Sequence, residues 1–210
     1  MVPLDHLLPF LAAATVLILI PGPSVLFVLG RSIAHGRRVG VLSVVGNGLG
    51  TVPAVLAVAF GVGAVVAASV VAFTVLKLAG AAYLVWLGVQ AIRHRHDHVG
   101  TVAEAPRGTG HVLREGFVVG ATNPKTIAFF VAILPQFVDP SAGPVRGQLL
   151  ELGLVFLLVA LACDSVWALL AGTARTWFAR SPRRLATLGG TGGVMMIGLG
   201  GTLAVSGSKS

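Results

Sequence analysis

Charged residues are scarce in this chain. Asp, Glu, Lys and Arg together make up 10% of its 210 residues, whereas soluble domains carry about 25%. Hydrophobic residues make up 55% of the sequence, and the mean hydropathy is +0.92. This balance excludes an ordinary soluble domain and predicts an all-α integral membrane protein.

Several common kinds of functional site are also missing from the sequence. The single cysteine, Cys163, excludes an internal disulfide. No nucleotide-binding loop, nucleophile elbow or zinc-protease motif occurs, so we predict no enzyme activity and no cofactor. Histidines in segment 93–98 alternate with arginines, which repel a cation, so we predict a solvated loop and no metal site there. The net charge of +8 comes without a basic stripe interleaved with aromatics, which argues against a nucleic-acid partner.

Six long apolar runs follow one another along the chain. Each is close to the ~20 residues that span a bilayer as a helix. The runs cover residues 8–29, 40–62, 68–92, 116–138, 150–172 and 186–206. Lys and Arg are concentrated in the first, third and fifth connections, and the first connection holds Arg31, Arg37 and Arg38. The positive-inside rule therefore places these connections in the cytoplasm and both termini outside it, with membrane lipids around the spans.

The two halves of the sequence resemble each other. The third connection, residues 93–115, is long and polar, so we expect a cytoplasmic linker between a first repeat at 1–92 and a second at 116–210. A spaced set of residues recurs between the halves: Leu78, Gly80 and Gly88 match Leu188, Gly190 and Gly198. Because each half has three spans, the second copy enters from the opposite side. The prediction is six transmembrane helices in two inverted three-helix repeats, an arrangement typical of secondary transporters.

Prolines interrupt the first and fourth runs. The first contains Pro21, Gly22 and Pro23, and the fourth contains Pro124 followed by Lys125. Proline removes a backbone donor and clashes with the preceding turn, so both helices are predicted to be broken. A charge in hydrocarbon costs at least about 2.5–3.5 kcal/mol, so the lysine requires a partner or water.

Polar residues and helix breaks fall at a common depth in this topology, about 10–13 Å from the cytoplasmic side. The groups that share this depth are the 21–23 break, Asn47, Asn123 to Lys125, and Asp164. Such a level suits a zwitterion, because freed N–H groups and Lys125 attract a carboxylate, and freed C=O groups and Asp164 attract an ammonium. Asp164 is also a candidate proton carrier. An alternative is that Lys125 and Asp164 neutralise each other and hold the halves together.

Lys77 lies away from this level, near the outer end of the third run. Two interpretations are open for it: snorkelling to the outer interface, or a role at an outer gate. Gly46, Gly48 and Gly50 in the second run predict a small face for close helix packing.

Several stretches resemble a known family. They are residues 20–23, 35–37, 75–88, 122–126 and 134–137, together with Asp164 in the fifth run. On these stretches the chain resembles the lysine exporter superfamily, and most closely its homoserine/threonine exporter branch. The resemblance implies secondary-active export of amino acids or their derivatives across the bacterial inner membrane, with protons as the coupling ion.

Two positions depart from the family's pattern. Ser24 follows Pro-Gly-Pro, where many members have Asp or Asn, and Thr51 stands near a position where many carry an aspartate. The missing carboxylate disfavours a dicationic substrate such as lysine and favours a small neutral amino acid. The alternatives are export of another solute, such as a divalent cation, and a non-transporting membrane scaffold; few intramembrane carboxylates or thiolates are available for a metal. The sequence leaves the formation of homo-oligomers open.

Overall fold

Helices make up nearly all of the structure. The computed structural model describes residues 1–62, 70–93, 108–173 and 182–205, and these ranges contain no strand. Two helices within them are long and apolar enough to cross a membrane, Arg37–Gly61 and Val145–Ala171, and two bent helix pairs bring the number to four if each pair is one span. The all-helical membrane class is therefore confirmed, while the six-span inverted repeat stays a prediction.

Within the described ranges eight α-helices follow in order, with short turns between some of them. They are α1 Leu4–Leu19, α2 Pro23–His35, α3 Arg37–Ala57, α4 Val70–Arg93, α5 Thr109–Ala121, α6 Pro124–Ala132, α7 Val145–Thr173 and α8 Pro182–Val205. A π-helical turn at Val58–Val62 continues α3. Two 3₁₀ turns, Leu134–Phe137 and Pro140–Ala142, separate α6 from α7.

The two proline-containing breaks bend the chain sharply. The α1–α2 pair is bent by 51° and the α5–α6 pair by 47°. Gly22 is extended (φ −126°, ψ −168°), and Pro23 starts α2 where its missing N–H costs no helical hydrogen bond. Asn123 is likewise extended, and Pro124 starts α6. The predicted breaks in the first and fourth helices are thus present.

Glycines bring α3 and α5 into backbone contact. A methyl group added at Gly46 would lie 3.1 Å from the Gly116 Cα, and one added at Gly50 would lie 3.0 Å from the Gly120 Cα. Two small faces with four-residue spacing therefore meet directly, a geometry that permits close helix approach in a membrane. The predicted packing role of this glycine-rich segment of α3 is confirmed.

Helix α7 contacts α1, α2 and α3. Its Phe156 joins a buried aromatic group with Phe10, Phe129 and Phe130 from α1 and α6. Helix α4 packs on α6 and α8 instead. The polar residues of the broken helices are consequently held between apolar packing on one side and close glycine contacts on the other.

Several predicted boundaries are wrong. Arg31, expected in a loop, lies inside α2 and is 3% exposed. A single residue, Gly36, separates α2 from α3, with φ +88° and ψ 175°, a conformation nearly restricted to glycine. Helix α5 begins at Thr109, inside the predicted linker. Most of that linker, including the histidines of segment 93–98, lies outside the described residues.

Candidate functional site

A small cavity lies between the two helix breaks. It is lined by Leu17, Ile18, Ser24, Val25, Asn47, Thr51, Asn123, Lys125, Thr126, Phe156, Ala160 and Asp164. The lining comes from α1, α2, α3, α6 and α7, together with the residue that precedes α6. Its interior has room for about one water molecule.

Four predicted site residues meet in this cavity. Asn47, Asn123, Lys125 and Asp164 all line it, and each is at most 5% exposed. The sequence placed them at a common depth from residue counting alone. Three further polar residues of the lining were not proposed as site residues: Ser24, Thr51 and Thr126. Ser24 directly follows Pro23 and Thr126 lies two residues after Pro124, so both lie in the first turn of a helix that starts at a break. Their closeness to the breaks is the sequence signal that could have identified them.

The three residues of the first break, which were also predicted site residues, are absent from the cavity lining. Pro21 and Gly22 are buried and Pro23 is exposed. A methyl group added at Gly22 would lie 3.3 Å from the Lys125 Nζ. Gly22 therefore provides the space that the lysine side chain occupies.

Lys125 binds the broken end of α1. Its Nζ donates to the Leu17 carbonyl at 3.0 Å and to the Ile20 carbonyl at 2.7 Å. In an unbroken helix the Leu17 carbonyl would accept from residue 21, which is a proline and has no N–H. Pro21 therefore leaves the Leu17 carbonyl without its helical donor, and Lys125 from the other break donates to it instead. Two of the three ammonium protons are used in this way.

Ser24 joins the two asparagines of the site. Its Oγ accepts from Asn123 Nδ2 at 2.7 Å and donates to Asn47 Oδ1 at 2.9 Å. Asn123 Oδ1 in turn accepts the backbone N–H of Lys125 at 3.1 Å, which caps α6. A continuous hydrogen-bond chain therefore connects α6, α2 and α3.

Asp164 lies in the cavity with unused hydrogen-bonding capacity. It is 4% exposed, and its Oδ1 accepts no hydrogen bond from the part of the chain that the structure describes. Within the same ranges no ion pair joins it to Lys125. The alternative in which these two residues neutralise each other by direct contact is therefore not the arrangement observed.

Two further predicted residues, in addition to those of the first break, lie outside the lining. Lys77 is 4% exposed, so the snorkelling interpretation is wrong; it is also absent from the cavity lining, and its role at an outer gate stays a prediction. Pro124 is half-buried at the start of α6 and acts through the backbone.

Comparison with known sequences supplies the family. The profile of the LysE type translocators matches residues 15–207. The chain belongs to this family. LysE type translocators are transporters, so this protein is a membrane transporter and not an enzyme.

Relatives of this LysE type translocator match almost end to end. A homoserine/homoserine lactone efflux protein of Salmonella typhimurium is 33% identical over 196 residues, covering 93% of this chain and 94% of that protein. A leucine efflux protein of Klebsiella pneumoniae is 30% identical over 201 residues, covering 94% and 93%. An uncharacterized membrane protein of Vibrio cholerae is 34% identical over 200 residues, covering 95% and 96%. No solved structure matches the chain.

Proposed function

We propose that this LysE type translocator exports small neutral amino acids, of the threonine or homoserine kind, from the bacterial cytoplasm. The export is driven by protons and uses six spans arranged as two inverted three-helix repeats. The observation that carries the proposal is the cavity between the two breaks, whose lining contains hydrogen-bond donors and one carboxylate residue, Asp164, with an unpartnered oxygen. A zwitterion is the ligand that needs both.

The carboxylate of the substrate has donors available on the α6 side. Lys125 retains one ammonium proton beyond the two given to Leu17 and Ile20. The Thr126 hydroxyl lies one residue further along α6 and also lines the cavity. The start of α6 adds the positive end of a helix dipole. These groups together favour an anion at this wall.

The ammonium of the substrate has a natural partner in Asp164. Among the described lining residues this is the single carboxylate, and its Oδ1 is unpartnered. One carboxylate serves one ammonium, so a second cationic group on the substrate would be buried unpaired. The names of the two efflux relatives include homoserine and leucine, and both amino acids have uncharged side chains. The same shortage of carboxylates disfavours a divalent cation as cargo.

Proton coupling follows if the substrate and a proton compete for Asp164. The ionised carboxylate binds the substrate ammonium from the cytoplasm, and protonation from the outer side removes that attraction and releases the substrate. The proton then returns to the cytoplasm on the same side chain. One charge crossing 100 mV is worth about 2.3 kcal/mol, roughly fifty-fold accumulation, so one proton per substrate is sufficient.

The inverted repeat is supported by the order of the helices. Each half starts with a broken pair (α1–α2, α5–α6), continues with a helix long enough to span (α3, α7), and ends with a 24-residue helix (α4, α8). The breaks of both halves contribute to one cavity, as expected for discontinuous helices that bind substrate near mid-membrane.

Transport by the purified full chain in proteoliposomes tests the function. Vesicles are loaded with unlabelled homoserine, threonine, leucine or lysine, and uptake of the labelled amino acid is followed with and without a pH gradient. We expect counterflow for neutral amino acids, little for lysine, and stimulation of net transport by the gradient. Thr122→Ala is the matched control, because Thr122 adjoins the second break but is exposed and bonds its own helix at Val118. Absence of counterflow for every amino acid would favour the scaffold or other-solute alternatives.

A further inference from the structure

The hydrogen bonds through Ser24 run in one direction, with Asn123 donating to Ser24 and Ser24 donating to Asn47. The backbone N–H of Lys125 can only donate, so Asn123 must turn its Oδ1 toward it and its Nδ2 toward Ser24. Ser24 has one hydroxyl hydrogen. Its Oγ accepts from Asn123, and in the structure its hydrogen goes to Asn47 Oδ1 at 2.9 Å.

The direction of the chain decides which end of the Asn47 amide faces the cavity. With Oδ1 occupied by Ser24, the Nδ2 group remains. Asn47 lines the cavity, and its Nδ2 has no hydrogen-bond partner within residues 1–62, 70–93, 108–173 and 182–205. This nitrogen is not among the fully buried side-chain atoms that lack a hydrogen-bond partner. At this position of α3, Asn47 therefore offers a donor and no charge.

We propose that Asn47 is a specificity-determining residue that donates to an oxygen of the substrate, and that Ser24 is the positioning residue that keeps the amide in this orientation. The inference rests on the proposed amino-acid transport. It deepens that function by naming the substrate group that Asn47 binds, which is an oxygen that accepts a hydrogen bond and not an ammonium. The oxygen is either on the substrate side chain or in its carboxylate, and the two sources are separable by experiment.

The test uses three substrates of one skeleton. Homoserine ends in a hydroxyl, 2,4-diaminobutyrate carries an ammonium in the same place, and 2-aminobutyrate ends in a methyl group and has neither. We expect the native chain to transport homoserine about five- to tenfold more efficiently than 2,4-diaminobutyrate, the discrimination that about one hydrogen bond supplies. The readout is a ratio of transport efficiencies, so differences in the amount of folded protein cancel.

Asn47→Asp replaces the donor that faces the cavity with an acceptor and keeps the contact with Ser24. An aspartate still accepts from Ser24 but presents a second acceptor oxygen to the cavity. We expect the preference to invert, with 2,4-diaminobutyrate now transported better than homoserine. An unchanged ratio in a variant that still transports would overturn the role of Asn47.

Ser24→Ala removes the orienting hydroxyl, and Ser24→Thr restores it. Without the hydroxyl the Asn47 amide is free to present its oxygen, so we expect the ratio to fall about threefold or more toward one, and the threonine variant to retain the native ratio. A native ratio in Ser24→Ala would overturn the positioning role.

Asn47→Ala separates the two sources of the oxygen. If Asn47 binds a side-chain oxygen, transport of homoserine falls and that of 2-aminobutyrate does not. If it binds the carboxylate, KM rises for both. No change in KM for either substrate would contradict the inference, whereas transport of none of the three by the native chain would contradict the proposed function itself.

Discussion

Lys125 connects the two breaks through a single side chain. Its ammonium occupies the place where a backbone N–H would stand if residue 21 were not proline. A buried lysine is expensive in a membrane, and the two carbonyls lower that cost by satisfying two of its protons. The same residue is thus a structural cap for α1 and the nearest cation to the proposed substrate carboxylate.

Gly22 is the residue at which this contact can be perturbed without removing charge. Gly22→Ala places a methyl group 3.3 Å from Lys125 Nζ and 3.4 Å from its Cδ and Cε, so the side chain has to shift by a few tenths of an ångström relative to the carbonyls that it binds. We expect transport by this variant to fall at least tenfold in proteoliposomes. Gly30→Ala is the control, because Gly30 lies in the same helix with nothing within 4 Å of the added group. Equal transport by the two variants would contradict the role of the ammonium position.

Asp164→Asn tests the coupling carboxylate. The amide has nearly the same shape, but it is uncharged and does not take up or release a proton. The variant should therefore bind a substrate ammonium poorly, and its transport should not respond to the pH gradient. We expect counterflow to be reduced at least tenfold, and the remaining transport to show no stimulation by an imposed gradient. The measurement compares labelled homoserine fluxes with and without the gradient. A variant that is still stimulated would place the coupling proton on another group.

At the scale of elements, the contact of α3 with α5 depends on the absence of side chains. An added methyl at Gly120 would lie 2.9 Å from the Asn47 carbonyl carbon and 3.1 Å from its Cα, so the helices would have to separate. We expect Gly120→Ala to destabilise the fold by about 1–3 kcal/mol, as other overpacked sites do. Gly110→Ala in the same helix meets nothing within 4 Å and should leave the detergent unfolding temperature unchanged. Equal unfolding temperatures would contradict the close approach.

A second contact joins α2 to α5 through an ion pair. Arg31 binds Glu115, which also lies 3.4 Å from His111, and the guanidinium lies 5.7 Å from the centre of the Phe27 ring. Glu115→Arg should lower the unfolding temperature, by less than the ~3–5 kcal/mol of a fully buried pair, because the carboxylate is 38% exposed.

The double reversal isolates the pair from other effects. Arg31→Glu combined with Glu115→Arg should unfold at a higher temperature than either single variant, since opposite charges again face each other. Additive losses in the double variant would show that the attraction between α2 and α5 does not depend on this pair.

The elements and the site differ in how far the sequence predicts them. Proline positions predict the breaks, because a missing N–H acts locally, and residue counting brings Asn47, Lys125 and Asp164 to one depth. Arg31 was assigned to a loop because a charge ends an apolar run, whereas its partner lies in α5, far away in sequence. The Ser24 contacts depend on three helices at once, and no local pattern encodes them.

At the scale of the whole molecule, orientation in the membrane is the property that transport direction depends on. Arg37 and Arg38 start α3, and from the positive-inside rule we expect this end of the helix on the cytoplasmic side. We expect reporter fusions at both termini to signal from outside the cytoplasm. Fusions after residue 36 should signal from the cytoplasm and serve as the internal control. A cytoplasmic terminus would invert the proposed path of substrate and proton.

The ammonium contact also has a mechanical consequence. Lys125 fastens α6 to the end of α1 across the 51° and 47° bends. We therefore expect the two bends to change together during transport, so that opening toward one compartment closes the route to the other.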